Sequence, residues 1–209
     1  MKKTDKRDDI IRASLELIAE HGFHGTPMAL IADKAGVGAG TIYRYFESKD
    51  VLIKALYRDL EEKITRVLTE GYSEEKPVRE RFIYLGTLLL RYFLTHPLHF
   101  RFLEQYFNSP YGVSQRRDKF LRKSGNRDVF TDLFEQGMAR QVMKDLPLPV
   151  HAALAFGPFI ALARDHILGL LKLDDALIEQ IIEACWDGIK RNAQADEFKR
   201  TKEVCHADR

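Results

Sequence analysis

The sequence has little cysteine and no sign of metal-binding cysteine pairs. Its two cysteines, Cys185 and Cys205, lie far apart, form no CxxC pair and have no histidine cluster beside them. A disulfide framework or a structural zinc site needs several pairs or closely spaced ligands, so neither is indicated. We expect free thiols in a reducing cytoplasm, and no metal or other cofactor.

The sequence also lacks an excess of charge of one sign and long hydrophobic runs. Its 33 basic and 31 acidic residues leave a formal net charge of +2, too small to indicate a nucleic-acid partner by itself. The most apolar stretch, 152–163, ends at Arg164, short of the ~20 residues that a membrane-spanning helix needs. Because residues 2–9 are charged where a signal peptide is apolar, we expect neither export nor a membrane partner.

Sustained alternation of apolar and polar residues, the pattern of half-buried strands, is absent as well. Apolar residues instead recur at helical spacing, as at Ile11, Leu15 and Ile18, and a hydrophobic content of 45% can fill a core. The sequence therefore predicts an all-α chain. The predicted helices cover 11–20, a start at Pro27 with Thr26 as N-cap, a connector at about 49–70, and the segments 77–95, 97–108, 114–123, 127–140, 149–171 and 174–192.

The window 28–46 has the pattern of two short helices that cross at a tight turn. Such a crossing needs a small residue at the contact, here Ala32, and a residue with positive φ at the turn, here Gly36. Apolar side chains fill the space between the helices. The predicted inward positions are Ile31, Ala35, Val37, Ile42 and Tyr45. Together these features predict a helix-turn-helix.

Small residues stand where the second helix of this motif begins, at Gly38-Ala39-Gly40. Without bulky side chains the backbone and the helix N-terminus can approach a phosphate or a base edge closely. Thr41, Tyr43 and Lys49 offer polar groups suited to phosphate oxygens. Arg44 suits either the O6 and N7 atoms of guanine or a phosphate, and the sequence leaves this choice open.

These residues carry a family resemblance: Gly22-Phe23, Thr26, Ile31-Ala32, Ala35-Gly36-Val37, Gly40-Thr41-Ile42-Tyr43, Tyr45-Phe46 and Ser48-Lys49 resemble the N-terminal signature of the TetR/AcrR repressors. The resemblance covers about residues 8–56. It implies an N-terminal three-helix DNA-binding head at 1–50 and a larger helical body at 51–209 that binds an effector and dimerises. The implied DNA contacts are Thr26, Met28, Gly38, Ala39, Gly40, Thr41, Tyr43, Arg44 and Lys49. Pro27 and Gly38 stand where the family usually has a hydroxyl residue.

The last two predicted helices have apolar stripes that are ordinarily core. The resemblance implies that they also pair with a second chain, so that two heads about 34 Å apart read near-palindromic double-stranded operator DNA. The small residues Gly157, Ala161 and Ala163 would permit close helix approach. The interface residues expected on this basis are Phe156, Ile160, Arg164, Ile167, Ile181, Cys185, Trp186 and Ile189.

An aromatic-rich stretch with interleaved polar residues lies between the connector and those helices. Most of its rings have a structural role in the core, but an apolar cavity with a few polar groups is also what a small-molecule effector requires. The candidate effector residues are Arg91, His96, His99, Phe102, Tyr106, Phe134 and Phe159. A metal at His96 and His99 is disfavoured because the sequence places no third ligand.

Two basic groups have solvation as their simplest explanation: Lys2, Lys3, Lys6 and Arg7 at the start, and Arg116, Arg117, Lys119, Arg122 and Lys123 in the middle. The first group would also suit the DNA backbone. The leading hypothesis is a ligand-responsive repressor. The alternatives are a helical enzyme with a helix-turn-helix head, for which no HExxH, GxSxG or P-loop is found, and a regulator of protein partners that has lost DNA binding.

Overall fold

The computed structural model describes residues 5–120 and 128–192, with side chains described to 117 in the first range. Within these ranges the chain forms ten α-helices and no strand, which confirms the predicted all-α class. The helices are α1 (Lys6–His21), α2 (Met28–Lys34), α3 (Ala39–Tyr45), α4 (Lys49–Thr69), α5 (Val78–Thr95), α6 (Pro97–Phe107), α7 (Pro110–Phe120), α8 (Val129–Ala139), α9 (Leu148–Ile167) and α10 (Asp175–Ile189). None of them combines the length and the apolarity needed to cross a bilayer.

The described residues fall into two compact units. The first unit takes 5–70 and 88–120. Helices α1 to α4 and α6 share one apolar core in it, because the inward positions of each helix are aliphatic or aromatic. Its fully buried members are Ile10, Ile18, Ile31, Ile42, Leu52, Ile53, Leu56, Leu60 and Phe102. The helix-turn-helix and α6 are therefore parts of one packed unit.

The long helix α4 begins and ends close to the predicted connector. The Ser48 hydroxyl accepts a hydrogen bond from the backbone N–H of Val51 at 3.3 Å, which caps the first turn. At the other end, Gly71 has a φ of +74°, a left-handed conformation that glycine adopts at little cost. Local capping chemistry thus sets both ends of this helix.

Of the described residues, the second unit takes 71–87 and 128–192. The first half of α5 packs closely against α9 and α10 there, since a Cβ at Gly86 would lie 3.2 Å from the Phe159 ring and 3.3 Å from Ile182 Cδ1. The side chain of Asp128 caps α8, and that of Asp174 caps α10. These caps and this close approach hold the four helical segments in one core.

Several predicted helix ends are displaced. Helix α9 ends at Ile167 rather than Leu171, because Gly169 takes a φ of +76° and the His166 ring accepts a hydrogen bond from the Leu173 N–H. Helix α10 ends at Ile189, and α7 begins at Pro110, earlier than predicted. Lys2, Lys3, Arg122, Lys123 and Cys205 lie outside the described residues, and the Lys119 side chain is likewise not described.

Candidate nucleic-acid interface

The turn between α2 and α3 has the predicted construction. Gly36 takes a φ of +66°, and the N–H of Val37 donates to the Ala32 carbonyl at 2.9 Å, which closes the end of α2. Ala32 is buried at the crossing, and Ile31 and Ile42 are fully buried. The predicted glycine turn and small contact residue are therefore confirmed.

The start of α2 differs from the prediction. The cap position is Pro27 and carries no side-chain cap hydrogen bond, so Thr26 is not the N-cap. The Thr26 hydroxyl instead lies 2.8 Å from the Gly22 carbonyl and 3.1 Å from the Leu17 carbonyl, and Thr26 is fully buried. Met28 is buried as well. Both residues were expected to contact DNA, but Thr26 is fully buried and Met28 is only 8% exposed, so their side chains lie in the core.

The inner face of α3 is shifted by one residue at its end. Tyr45, predicted to point inward, is 37% exposed, whereas Phe46 is only 3% exposed and fills the core position. The Arg44 guanidinium carbon lies 5.5 Å from the centre of the Tyr45 ring, a cation–π contact. The prediction for Tyr45 was wrong because α3 ends at this residue. Phe46 follows with an extended backbone, and its side chain takes the core position.

A bare surface is present at the beginning of α3. Gly38, Ala39 and Gly40 are exposed, and a Cβ built on Gly40 would meet nothing within 4 Å. Gly38 is the N-cap residue, and the first turn has no side-chain cap hydrogen bond. This part of the chain can approach another molecule at backbone distance.

The polar candidates around this surface differ in how available they are. Tyr43 is 53% exposed and Arg44 is exposed, whereas Thr41 is half-buried. The Lys49 ammonium group donates to the Phe23 carbonyl, and burial lowers the pKa of Lys49 despite the opposing charge of Asp50. Lys49 therefore has to give up this carbonyl before it can contact a phosphate.

Helix α6 contacts the helix-turn-helix region near the end of α1. The Gln105 side chain donates to the carbonyl of Ile18 at 3.0 Å, near the end of α1. Phe23, which follows α1, packs edge-on against Phe102 and Tyr111 with ring centres 6.1 and 5.8 Å apart. The position of the helix-turn-helix is therefore tied to side chains that sequence reasoning had assigned to the body.

The candidate effector residues do not form a single group. In the first unit, Tyr106 stacks on Tyr57 with ring centres 4.2 Å apart, and Phe102 is fully buried. His99 Nδ1 lies 2.7 Å from the Tyr92 hydroxyl, and burial together with the charge of His96 lowers the pKa of His99 to about 4. His96 and Arg91 are exposed. Phe134 and Phe159 belong to the second unit.

Phe134 and Phe159 belong to an aromatic cluster that contains a histidine. Phe156 lies 5.9 Å from Phe134 and 6.1 Å from Phe159 between ring centres, and His151 stacks on Phe134 at 5.4 Å. Sequence reasoning missed His151 and also Arg81, a buried charge in the same unit. A signal for Arg81 was present, because Val78, Arg81, Phe82 and Leu85 share one helical stripe and only Arg81 is polar.

The expected dimer residues divide into two groups. Cys185, Trp186 and Ile189 are buried within the chain, and Trp186 contacts Phe82 at 5.6 Å between ring centres, so these three are not available to a partner. Burial also raises the pKa of the Cys185 thiol to about 11. Phe156, Ile167 and Ile181 are half-buried, while Ile160 and Arg164 are exposed. The exposed stripe along α9 and its C-cap residue is Val150, Ala153, Leu154, Gly157, Pro158, Ile160, Ala161, Arg164 and Leu168.

Comparison with known families gives two matches along the chain. Residues 10–56 match the model for bacterial regulatory proteins of the tetR family, and residues 77–190 match a tetracyclin repressor-like C-terminal domain. An HTH-type transcriptional regulator of Haemophilus influenzae is 26% identical over 190 residues, which cover 90% of this chain and 98% of that protein.

Solved structures show the same architecture. A TetR-family regulator from Vibrio parahaemolyticus is 34% identical and superposes with a TM-score of 0.72, covering 90% of this chain and 100% of its own. FadR from Bacillus subtilis, solved in complex with stearoyl-CoA, is 20% identical with a TM-score of 0.69 and covers 87% of this chain and 98% of its own. The second likeness concerns the fold alone.

Proposed function

This chain belongs to the TetR family of bacterial transcriptional regulators, and we propose that it is a cytoplasmic repressor. It binds near-palindromic operator DNA as a homodimer and leaves the DNA when a small, largely apolar effector occupies its body. Residues 1–50 act as the DNA-binding head and 51–209 as the body.

One observation carries the DNA-binding part: the start of α3 is bare while its inner face is anchored. Gly40 has open space around it, and Ile42 of the same helix is fully buried. A helix held in this way presents backbone N–H groups to phosphate and the side chains of Tyr43 and Arg44 to the groove. We infer that these residues, with Thr41 and Lys49, form the contact surface.

The homodimer is proposed on the exposed stripe of α9. Val150, Leu154 and Ile160 are large apolar side chains left uncovered in the single chain. A Cβ at Gly157 would meet nothing within 4 Å, so the chain itself gives no steric reason for a glycine there. A second copy packed closely against this face leaves no room for a side chain at Gly157. This interface replaces the one that included Cys185, Trp186 and Ile189.

The effector response is proposed for the body. Its aromatic cluster around Phe134 and Phe156 gives an apolar environment. FadR, which shares the fold, binds stearoyl-CoA. The effector binds one packing of the body more tightly than another and thereby changes the spacing of the two heads. The equilibrium between the two packings shifts only by this difference in affinity.

Footprinting on the DNA upstream of the chain's own gene tests this function. The expected result is one protected near-palindrome, bound with an affinity that falls steeply as salt rises, because neutralised phosphates release counterions. Uniform weak binding to all duplexes would contradict an operator. Accumulation of a chemically altered small molecule would favour the enzyme alternative, and binding to a protein but to no duplex would favour the protein-partner alternative.

A further inference from the structure

Arg81 is a charged residue in the interior of the second unit. It lies in the first turns of α5, on the same stripe as the buried residues Val78, Phe82 and Leu85, and is only 1% exposed. The guanidinium group of arginine is not deprotonated in proteins and keeps its positive charge. The interior of this unit therefore contains a permanent cation.

The groups that Arg81 hydrogen-bonds to are uncharged. Burial raises the pKa of its partner Tyr72, and the nearby carboxylates Glu74 and Asp132 act on that phenol in the same direction. Arg81 Nε donates to the Tyr72 hydroxyl at 2.8 Å, and Nη1 donates to the Gln136 side-chain oxygen at 2.7 Å. The guanidinium carbon lies 5.3 Å from the centre of the Tyr72 ring. In the part of the chain that the structure describes, no carboxylate forms an ion pair with Arg81. The phenol and the amide orient the guanidinium without neutralising it.

One end of the guanidinium has nothing to bind. Nη2 is buried and has no hydrogen-bond partner among the described residues. Among the residues that the structure describes, one further buried side-chain atom lacks a partner, His151 Nδ1, and it belongs to the same unit. Buried polar atoms are almost always satisfied, and buried charges are almost always paired. Both atoms lie in the second unit, which also contains the aromatic cluster proposed for the effector.

We propose that Arg81 binds an anionic group of the effector, so that the effector is an apolar molecule with one oxyanion such as a carboxylate. This inference rests on the proposed function, because it specifies the chemistry of the effector. Nη2 donates to an anionic oxygen, while Tyr72 and Gln136 hold the guanidinium plane in place. The apolar part packs on the rings of the same unit, where Phe82 and Trp186 already pair.

A matched pair of fluorescent probes tests the proposal on the full-length protein. Anilinonaphthalene sulfonate carries an oxyanion, and N-phenylnaphthylamine has the same ring system without it. Titration of each probe gives the ratio of its two affinities, which isolates the contribution of the anion. The variants are Arg81→Met, which removes the charge, and Arg81→Lys, which keeps the charge but not the planar guanidinium group. Arg79→Gln is the control, because Arg79 lies on the same helix, is exposed and pairs with Glu183.

The wild-type protein is expected to prefer the sulfonate by at least tenfold. Arg81→Met should remove most of this preference while changing the affinity for the neutral probe less than threefold. Arg81→Lys should keep part of the preference, and Arg79→Gln all of it. A wild-type protein that does not prefer the sulfonate overturns the proposal. An equal loss of affinity for both probes in Arg81→Met and Arg81→Lys also overturns it, because this result is expected if Arg81 only stabilises the fold.

Operator binding by the same preparations separates this inference from the function on which it rests. Intact operator binding with no anion preference overturns only the proposed role of Arg81 and leaves the proposed repressor function in place. Anion preference without operator binding overturns the proposed repressor and leaves the anion site standing. Release of the operator by the sulfonate, but not by the neutral probe, would support both.

Discussion

The side-chain amide of Gln105 on α6 donates a hydrogen bond to the backbone carbonyl of Ile18, 3.0 Å away near the end of α1. The two residues are distant in sequence, yet this bond joins a helix beyond the connector to the DNA-binding head. Replacement of Gln105 by Leu removes the donor and should lower the free energy of unfolding by about 1 kcal/mol. Urea denaturation checks this result, with Gln180→Leu on the exposed face of α10 as control.

Thr26 provides a prediction that separates stability from DNA contact. Thr26→Val removes a buried hydroxyl that lies within hydrogen-bond distance of two carbonyls, so it should lower the free energy of unfolding by about 1–2 kcal/mol. Thr26→Ser keeps the hydroxyl and should recover most of this loss. DNA affinity, measured where each variant is fully folded, should stay within threefold of wild type. A tenfold loss of DNA affinity in folded Thr26→Val would show that Thr26 contributes to DNA binding.

Gly40 and Gly157 are predicted to serve two different partners. Because both have open space around them, Leu at either position should leave the fold of the single chain intact. Gly40→Leu should weaken DNA binding at least tenfold without affecting dimerisation, since it adds bulk at the start of α3. Gly157→Leu should shift the dimer toward monomer. Fluorescence anisotropy and sedimentation velocity measure the two effects.

Each glycine variant is the control for the other. If Gly40→Leu binds DNA like wild type, the exposed start of α3 does not contact DNA. Gly157→Leu that sediments like the wild-type dimer would place the interface elsewhere.

His99 gives the stability a predicted pH dependence. Burial lowers its pKa from 6.5 to about 4 in the folded chain, so between these values the unfolded chain binds more protons than the folded one. Stability should therefore fall as the pH is lowered from about 6.5 toward 4, and burial of His151 acts in the same direction. His99→Gln should flatten part of this dependence in urea denaturation. An NMR titration that shows His99 protonated near pH 6.5 would contradict the prediction.

The sequence was sufficient for features that depend on local spacing. The helix-turn-helix followed from Ala32, Gly36 and the apolar stripe around them, because a tight crossing admits few residue types. It did not decide which apolar residues of α10 face the chain's own core, since core and interface positions have the same periodicity. Trp186 and Cys185 were misassigned for this reason. Arg81 was missed although its place on an apolar stripe marks it as buried.

The proposed function requires that two copies of α3 enter the major groove of one operator. Affinity cleavage tests it directly: Glu47, exposed just after α3, is replaced by Cys, the native cysteines by Ser, and an iron chelate is attached. Two cleavage clusters about 34 Å apart are expected, each with the strand offset of a major-groove probe. A single cluster, or the offset of a minor-groove probe, would contradict it.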